Sequence, residues 1–255
     1  MRNPDTYNLW EGVYQSFSET NFVNNRVFDD EIWLQKVYHR ALQQIEQKNN
    51  TNTGSDNNIT SDYALPFIVS TQLDMKHECK ILDFGGGLGT SYLTVKSMLP
   101  TTAKFKFTII ENERLCKKGN ELFHDEINIT FSPTIPESEL FTLAYAGSSI
   151  HYVENWQKAL SDFAQRGVEY MIFSDLPAGE ITTFVTTQYF HGNRVPVWFW
   201  NVQEFIEEVE KLGFDLIFNA GFKGYYLAPN TELPTENLPE SYRLKQCRQL
   251  IFKRR

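Results

Sequence analysis

From residue 80 to residue 174 the chain repeats one order: a short apolar run, an amphipathic stretch, then another short apolar run. The runs Lys80–Phe84, Lys106–Ile110, Ile127–Phe131, Phe141–Ala146 and Tyr170–Ser174 are of strand length. Near-continuous apolar runs of this kind read as strands buried on both faces. Helices are predicted between them: one reaching Leu99, one over Arg114–Phe123 and one over Asn155–Gln165. Strands alternating with crossover helices specify an α/β fold with a mostly parallel sheet.

Both ends of the chain break this alternation. A helix is predicted from Asp29 or Asp30 to about Gln47, because Trp33, Val37 and Ala41, with Leu34, Tyr38, Leu42 and Ile45, recur at three and four residues. A second helix is expected over about Ser61–Leu73, after an Asn/Thr/Gly/Ser/Asp-rich exposed loop from Asn49 to Asn58. Residues 1–28 are aromatic without a clear period and read as an irregular or short-helical segment. Residues 1–75 are therefore expected to form a helical N-terminal cap or lid on a core of residues 76–255.

After the fifth strand, residues 176–200 read as a long aromatic loop interrupted by Pro177 and Pro196, and a loop of that length is usually functional. A helix follows, with Asn201 as its N-cap, Glu204 three residues on, Phe205, Ile206, Val209 and Leu212 on one face, and Gly213 at its end. Two final strands, about Asp215–Asn219 and Gln249–Phe252, are expected to pair antiparallel.

Composition narrows the class. The chain has 255 residues, 41% hydrophobic and 22% charged, the make-up of an ordinary globular protein. Its net charge of −8 gives no general attraction to nucleic acid. Cys79, Cys116 and Cys247 are far apart and lack zinc-ligand spacing, so neither disulfides nor a structural metal is expected. The sequence has no apolar leader after Met1 and no apolar run of about 18 residues, so no membrane span is expected and the protein reads as cytoplasmic.

Candidate chemistry centres on Asp83-Phe84-Gly85-Gly86-Gly87-Leu88-Gly89-Thr90, between the first predicted strand and the helix after it. Glycines there let a ligand approach the backbone, and the first helical turn adds free N–H groups and a positive dipole end. A dinucleotide-binding turn needs G-x-G-x-x-G, and counting from Gly85 its last position is Thr90. A P-loop needs Gly-Lys-Ser/Thr, which does not follow.

The turn resembles the first motif of the class I S-adenosylmethionine-dependent methyltransferases. That resemblance implies a Rossmann-like fold with a mostly parallel seven-stranded sheet and an antiparallel last strand. It implies that Asp83, Gly85, Gly86, Gly87, Gly89 and Thr90 hold the methionine part of the cofactor. Glu111, 22 residues after Gly89 and at the end of the second strand, would bind the ribose hydroxyls. Ser132 and Gly147 fall where the ends of the third and fourth strands would meet the adenine. Further runs, Trp10–Phe17, Thr186-Thr187-Gln188 and Pro196-Val197-Trp198-Phe199, are similar to a bacterial methyltransferase family whose members often accompany surface-polysaccharide genes.

That family resemblance hints at a small polar acceptor of saccharide type. It implies a Gln where this chain has His151, so no catalytic role passes to that position from the family.

For a hydroxyl acceptor a proton must be removed. His151, Asp175 and His191 are the candidate bases, and Tyr14, Gln188, Tyr189 and Trp198 the candidate acceptor contacts. The aromatic N-terminal stretch could equally pack on the sheet. Two other readings stay open: a cofactor-binding regulator or assembly protein without catalysis, and a nucleotide-dependent oxidoreductase.

Overall fold

The computed structural model describes residues 8–21, 28, 30–49, 62–73, 78–190, 192–222 and 232–255. Its main sheet contains β2 (Cys79–Phe84), β3 (Phe105–Ile110), β4 (Ile129–Ser132), β5 (Leu143–Gly147), β6 (Tyr170–Leu176), β10 (Phe214–Phe222) and β11 (Cys247–Arg254), in the order β10-β11-β6-β5-β2-β3-β4. β2 through β6 pair parallel, and β11 lies antiparallel to both β6 and β10. The expected seven-stranded sheet and the antiparallel pairing of the last two strands are both present.

Helices cover both faces because strand side chains alternate between them. Ile81, Ile109 and Leu143 face a core built with α1 (Glu31–Asn49), α2 (Ala64–Gln72), α3 (Thr90–Met98) and α4 (Glu113–Leu122). Leu82, Ala144 and Phe173 face the opposite core, built with α5 (Trp156–Gln165) and α6 (Val202–Glu210). The helix starts follow local chemistry. Asn112, Asn155 and Asn201 each accept backbone N–H groups at the N-termini of α4, α5 and α6.

Two expectations require correction. Residues 176–200 are not a long loop: they contain β7 (Ala178–Gly179), β8 (Phe184–Phe190) and β9 (Asn193–Asn201). β8 and β9 form a hairpin in which Phe190 pairs with Asn193, and Gly192 supplies a positive φ of 84° at the turn. Pro196 is accommodated in β9 because β7 reaches only Trp200 and Asn201, which leaves the far edge of Pro196 without a ladder to break.

Residues 10–14, expected within a helical cap, form β1 (Trp10–Tyr14), which pairs antiparallel with β8. Together these strands make a second sheet, ordered β1-β8-β9-β7. Its aromatic content reflects a third core, in which Trp10, Phe184 and Phe199 pack with Leu233, Leu238 and Leu244.

Trp10 is only 2% exposed and meets Phe199 edge-on with ring centroids 5.5 Å apart. Trp10→Ala should lower stability by about 3–5 kcal/mol in urea unfolding, the range for deleting a buried aromatic.

Candidate active site

β2 ends at Phe84, and the chain turns through Gly85–Gly89 into α3. The Gly85 amide donates to the Ile110 carbonyl at 2.9 Å, tying the turn to the end of β3. Gly85, Gly87 and Gly89 have φ values of 70°, 57° and 77°, conformations that side chains resist. A side chain on Gly86 would enter the Asp83 carboxylate, whereas one on Gly87 would meet only Val37 of α1, at 3.2 Å. The outer surface of the turn is therefore bare backbone.

Glu111 follows β3 and reaches back to this turn. Its Oε1 accepts the Gly87 amide at 3.0 Å, and its Oε2 accepts the Asn112 amide at 3.2 Å. Burial raises the Glu111 pKa, and these two backbone donors oppose the rise.

Asp83 is fully buried. The Ser91 hydroxyl, from the first turn of α3, donates to its Oδ2, while its Oδ1 has no partner among the described residues. Burial pushes the Asp83 carboxyl up to about 7, against the Ser91 hydrogen bond and with help from the Glu111 charge. A buried carboxylate oxygen without a donor is costly and fits a ligand that brings one.

At the next two strand ends, Ser148 and Asp175 both adopt left-handed backbone conformations, with φ of 54° and 53°. For residues with a Cβ each costs of the order of 1–3 kcal/mol. The Ser148 hydroxyl donates to Asp175 Oδ2 at 2.6 Å, and the Ser148 amide donates to the Ser174 carbonyl at 3.0 Å.

His151 follows in a 3-10 turn, 5% exposed, with its Nδ1 unpartnered among the described residues. Burial lowers its pKa to about 4, the Asp175 charge opposing the shift, so the imidazole is neutral at pH 7. Beside it, the Tyr152 hydroxyl donates to Gln188 Oε1 on β8 at 2.7 Å.

An aromatic group joins these two regions. Asn112 Nδ2 donates to the Phe28 carbonyl at 3.1 Å, next to Glu111. The Phe28 ring meets Tyr152 at 4.9 Å, Phe190 at 5.7 Å and Trp33 of α1 at 6.0 Å. Phe28, Trp33, Tyr152 and Phe190 escaped the sequence reading because the cluster draws on four separate segments and has no period. Ser91 was also missed, although a serine in the first helical turn after a glycine-rich loop is a recognisable donor.

The remaining candidates are placed as follows. Thr90 opens α3, where its carbonyl accepts the Thr94 hydroxyl at 2.9 Å. The Ser132 hydroxyl donates to the Thr134 carbonyl at 2.6 Å, which commits it locally. Gly147 ends β5 with the Tyr145 hydroxyl lying where its side chain would be.

Trp198 donates its indole N–H to the Glu154 carbonyl at 3.2 Å and packs on Phe17, as a wall residue does. The Tyr14 ring covers Gly12 on β1, and the Tyr189 amide donates to the Leu9 carbonyl at 2.7 Å. His191 lies outside the described residues. Among the described residues no three His, Cys, Asp or Glu side chains could hold a metal ion, and no helix is long and apolar enough to cross a membrane.

No known protein family profile matches the chain, and no curated protein sequence matches it. Solved structures do. A Listeria monocytogenes protein assigned as an S-adenosylmethionine-dependent methyltransferase superposes with a TM-score of 0.52 at 14% identity, covering 76% of this chain and 100% of that one. A Clostridium acetobutylicum S-adenosylmethionine-dependent methyltransferase gives 0.50 at 9% identity, over 85% and 98%. The glycopeptide N-methyltransferase MtfA, solved with S-adenosyl-L-homocysteine, gives 0.51 at 10% identity, over 80% and 95%. These likenesses show the fold, which is the Rossmann-like class I methyltransferase fold.

The buried acid generates a pH signature. The folded-state pKa of Asp83, about 7, lies above the ordinary aspartate value of 3.8, so folding carries no penalty below pH 3.8 and the full penalty above about pH 7. Asp83→Asn should therefore gain more stability over wild type at pH 8 than at pH 4, measured by thermal unfolding at both pH values. An equal gain at the two would show that Asp83 is not a buried, raised acid.

Proposed function

We propose that this protein transfers a methyl group from S-adenosylmethionine to a hydroxyl group of a small polar acceptor. The observation that carries the reading is the meeting of the Glu111 carboxylate with the Gly87 amide at the carboxyl edge of the sheet. There a backbone-only cradle and an acid lie within one hydrogen bond of each other. In open α/β sheets, ligands bind outside the carboxyl ends of the strands, where the strand order reverses. Here that point lies between β2 and β5, beside the glycine turn.

The donor set suits the cofactor. Glu111 offers lone pairs to adjacent ribose hydroxyls, and the glycine turn gives close backbone contact without side chains. The structural neighbours include a methyltransferase solved with S-adenosyl-L-homocysteine, which favours the same donor. When bound, S-adenosylmethionine supplies an electrophilic methyl group and departs as a thioether.

The rest falls to this chain's side chains. His151, neutral at pH 7, accepts the proton of the acceptor hydroxyl, and Asp175 stabilises the imidazolium that forms. The Ser148–Asp175 hydrogen bond fixes that carboxylate, and the strained backbone on both sides of it is of a kind that clusters at active sites. Gln188, oriented by Tyr152, directs its amide toward the acceptor.

Phe28, Trp33, Tyr152 and Phe190 exclude water and offer faces for a sugar-like ring, in keeping with the family resemblance of the flanking motifs. In this reading the region before residue 75 acts as the lid of the site.

Calorimetry tests the donor. Wild type should bind S-adenosylhomocysteine, and Glu111→Ala should weaken that binding by about tenfold or more, as expected for losing charge-assisted hydrogen bonds. Unchanged binding by Glu111→Ala rules the assignment out. Sinefungin, which carries an amine where the transferred methyl would be, tests the acceptor end. Asp175→Asn should reduce the preference for sinefungin over S-adenosylhomocysteine, and an unaltered preference removes Asp175 from the transfer site.

A further inference from the structure

The edges of the two sheets are guarded unequally. An edge strand offers a row of backbone N–H and C=O groups to any other chain, and proteins blunt such edges by keeping them short, bulged or charged. β4, at one end of the main sheet, has four residues, and β7 in the second sheet has two. β1 is irregular, with a register shift between Glu11 and Tyr14 and Gly12 at a φ of 83°. β10, at the other end of the main sheet, runs for nine residues, and among the described residues no strand pairs with its outer edge.

β10 carries neither lysine nor proline. Its one charge, Asp215, is met within the chain by Arg255 at 2.7 Å. The register against β11 shifts between Leu216 and Phe218, and the five residues from Phe218 to Phe222 then pair without interruption. That half of the strand, Phe218-Asn219-Ala220-Gly221-Phe222, has no charged side chain. Phe218 is 44% exposed, and Ile217 at the irregularity is 51% exposed. A long, open edge with large apolar side chains is a site for strand addition.

These five residues match themselves. Laid antiparallel about a two-fold axis at Ala220, Phe218 stands opposite Phe222 of the second copy, Asn219 opposite Gly221, and Ala220 opposite Ala220. Phe218, Ala220 and Phe222 leave the same face of the strand, so two aromatic pairs form with only methyl groups between them. Each chain carries a net charge of −8, yet this contact opposes no like charges. An antiparallel edge is also what a closed two-fold dimer requires, because both copies present the same surface.

We propose that the outer edge of β10 pairs antiparallel with β10 of a second copy of this chain, with Ala220 at the two-fold axis. The pairing runs the two main sheets into one and is independent of the methyl-transfer reading. A contact of five residues a side is small against the about 800 Å² per partner of a standard interface, so the dimer is reversible and concentration-dependent.

Sedimentation velocity on the full chain, from about 1 µM to about 200 µM, reads the association. Wild type should shift from monomer toward dimer across that range. Phe218→Lys should raise the dimer dissociation constant about tenfold or more, because both aromatic pairs are lost at once. Ile127→Lys, which changes an apolar residue 86% exposed just before β4, should leave the constant within about twofold.

Cross-linking reads the register. Directly opposite residues of an antiparallel pair have Cα atoms about 4.5–5.5 Å apart, inside the about 4.4–6.8 Å that a disulfide spans. The native Cys79, Cys116 and Cys247 are all buried. Ala220→Cys should therefore form a disulfide-linked dimer under oxidised glutathione, and Asn219→Cys, which stands opposite Gly221, should not. If Phe218→Lys does not fold, as judged by thermal unfolding, the cysteine pair carries the test alone.

A wild type that stays monomeric up to about 200 µM overturns the inference and leaves the edge to a different partner. A dimer that Phe218→Lys does not weaken, or cysteines at 219 and 220 that cross-link equally, overturns it as well.

Discussion

The hydrogen bond from the Gly87 amide to the Glu111 carboxylate joins the two strand ends on which the site depends. β2 and β3 are parallel neighbours, so the turn after one and the acid after the other emerge on the same edge. The chain then crosses to the opposite side of β2 to lay down β5 and β6, and Gly85 and Ser149 come together where the two directions diverge. Gly85 has to lack a side chain because the Ser149 side chain already occupies the space one would take. The location of the site thus follows from strand order, and the glycines follow from the location.

The distribution of unfavourable contacts supports the same view. Away from this edge the sheet faces are apolar and fully packed, with Ile81, Leu82, Phe107, Leu143 and Phe173 at 1% exposure or less. At the edge itself, a carboxyl with an unpartnered oxygen, a neutral buried imidazole and two left-handed non-glycine residues are gathered within the ends of three neighbouring strands. Each of these lowers stability where it stands. Gathered at one edge, they are groups that a ligand can complete.

The second sheet explains why the aromatic residues are so numerous. β1 comes from the start of the chain and completes a sheet with the β8–β9 hairpin, so Trp10, Phe184 and Phe199 form a core of their own. β8 packs into that core through Phe184, and Gln188 on the same strand meets Tyr152. Phe28 and Phe190 then bridge from this sheet to α1 through Trp33. The end of β3, through Asn112 and Phe28, and the Ser148–Tyr152 segment are in this way connected by packed rings.

The sequence alone determined the local part of this protein. Buried parallel strands are continuous apolar runs, amphipathic helices show a 3.6-residue period, and Asn caps and glycine turns act within a few residues. Hence the strands of the core, α3 to α6, the Gly85–Gly89 turn and Glu111 at a strand end could be read from the chain. The β8–β9 hairpin was hidden because Phe184, Val185, Thr186 and Thr187 are all buried, which erases the alternation that marks a strand. β1 was hidden because its partner lies more than 170 residues away.

Only the tertiary structure decided which groups meet. It set Asp83 beside Tyr145 across two strands, brought Asp62 to that phenol, and placed Phe28 against Tyr152 and Phe190. It also buried His151 until its charge was lost. Proximity between distant segments and the desolvation it imposes are properties of the assembled fold, and no local pattern of residues encodes them.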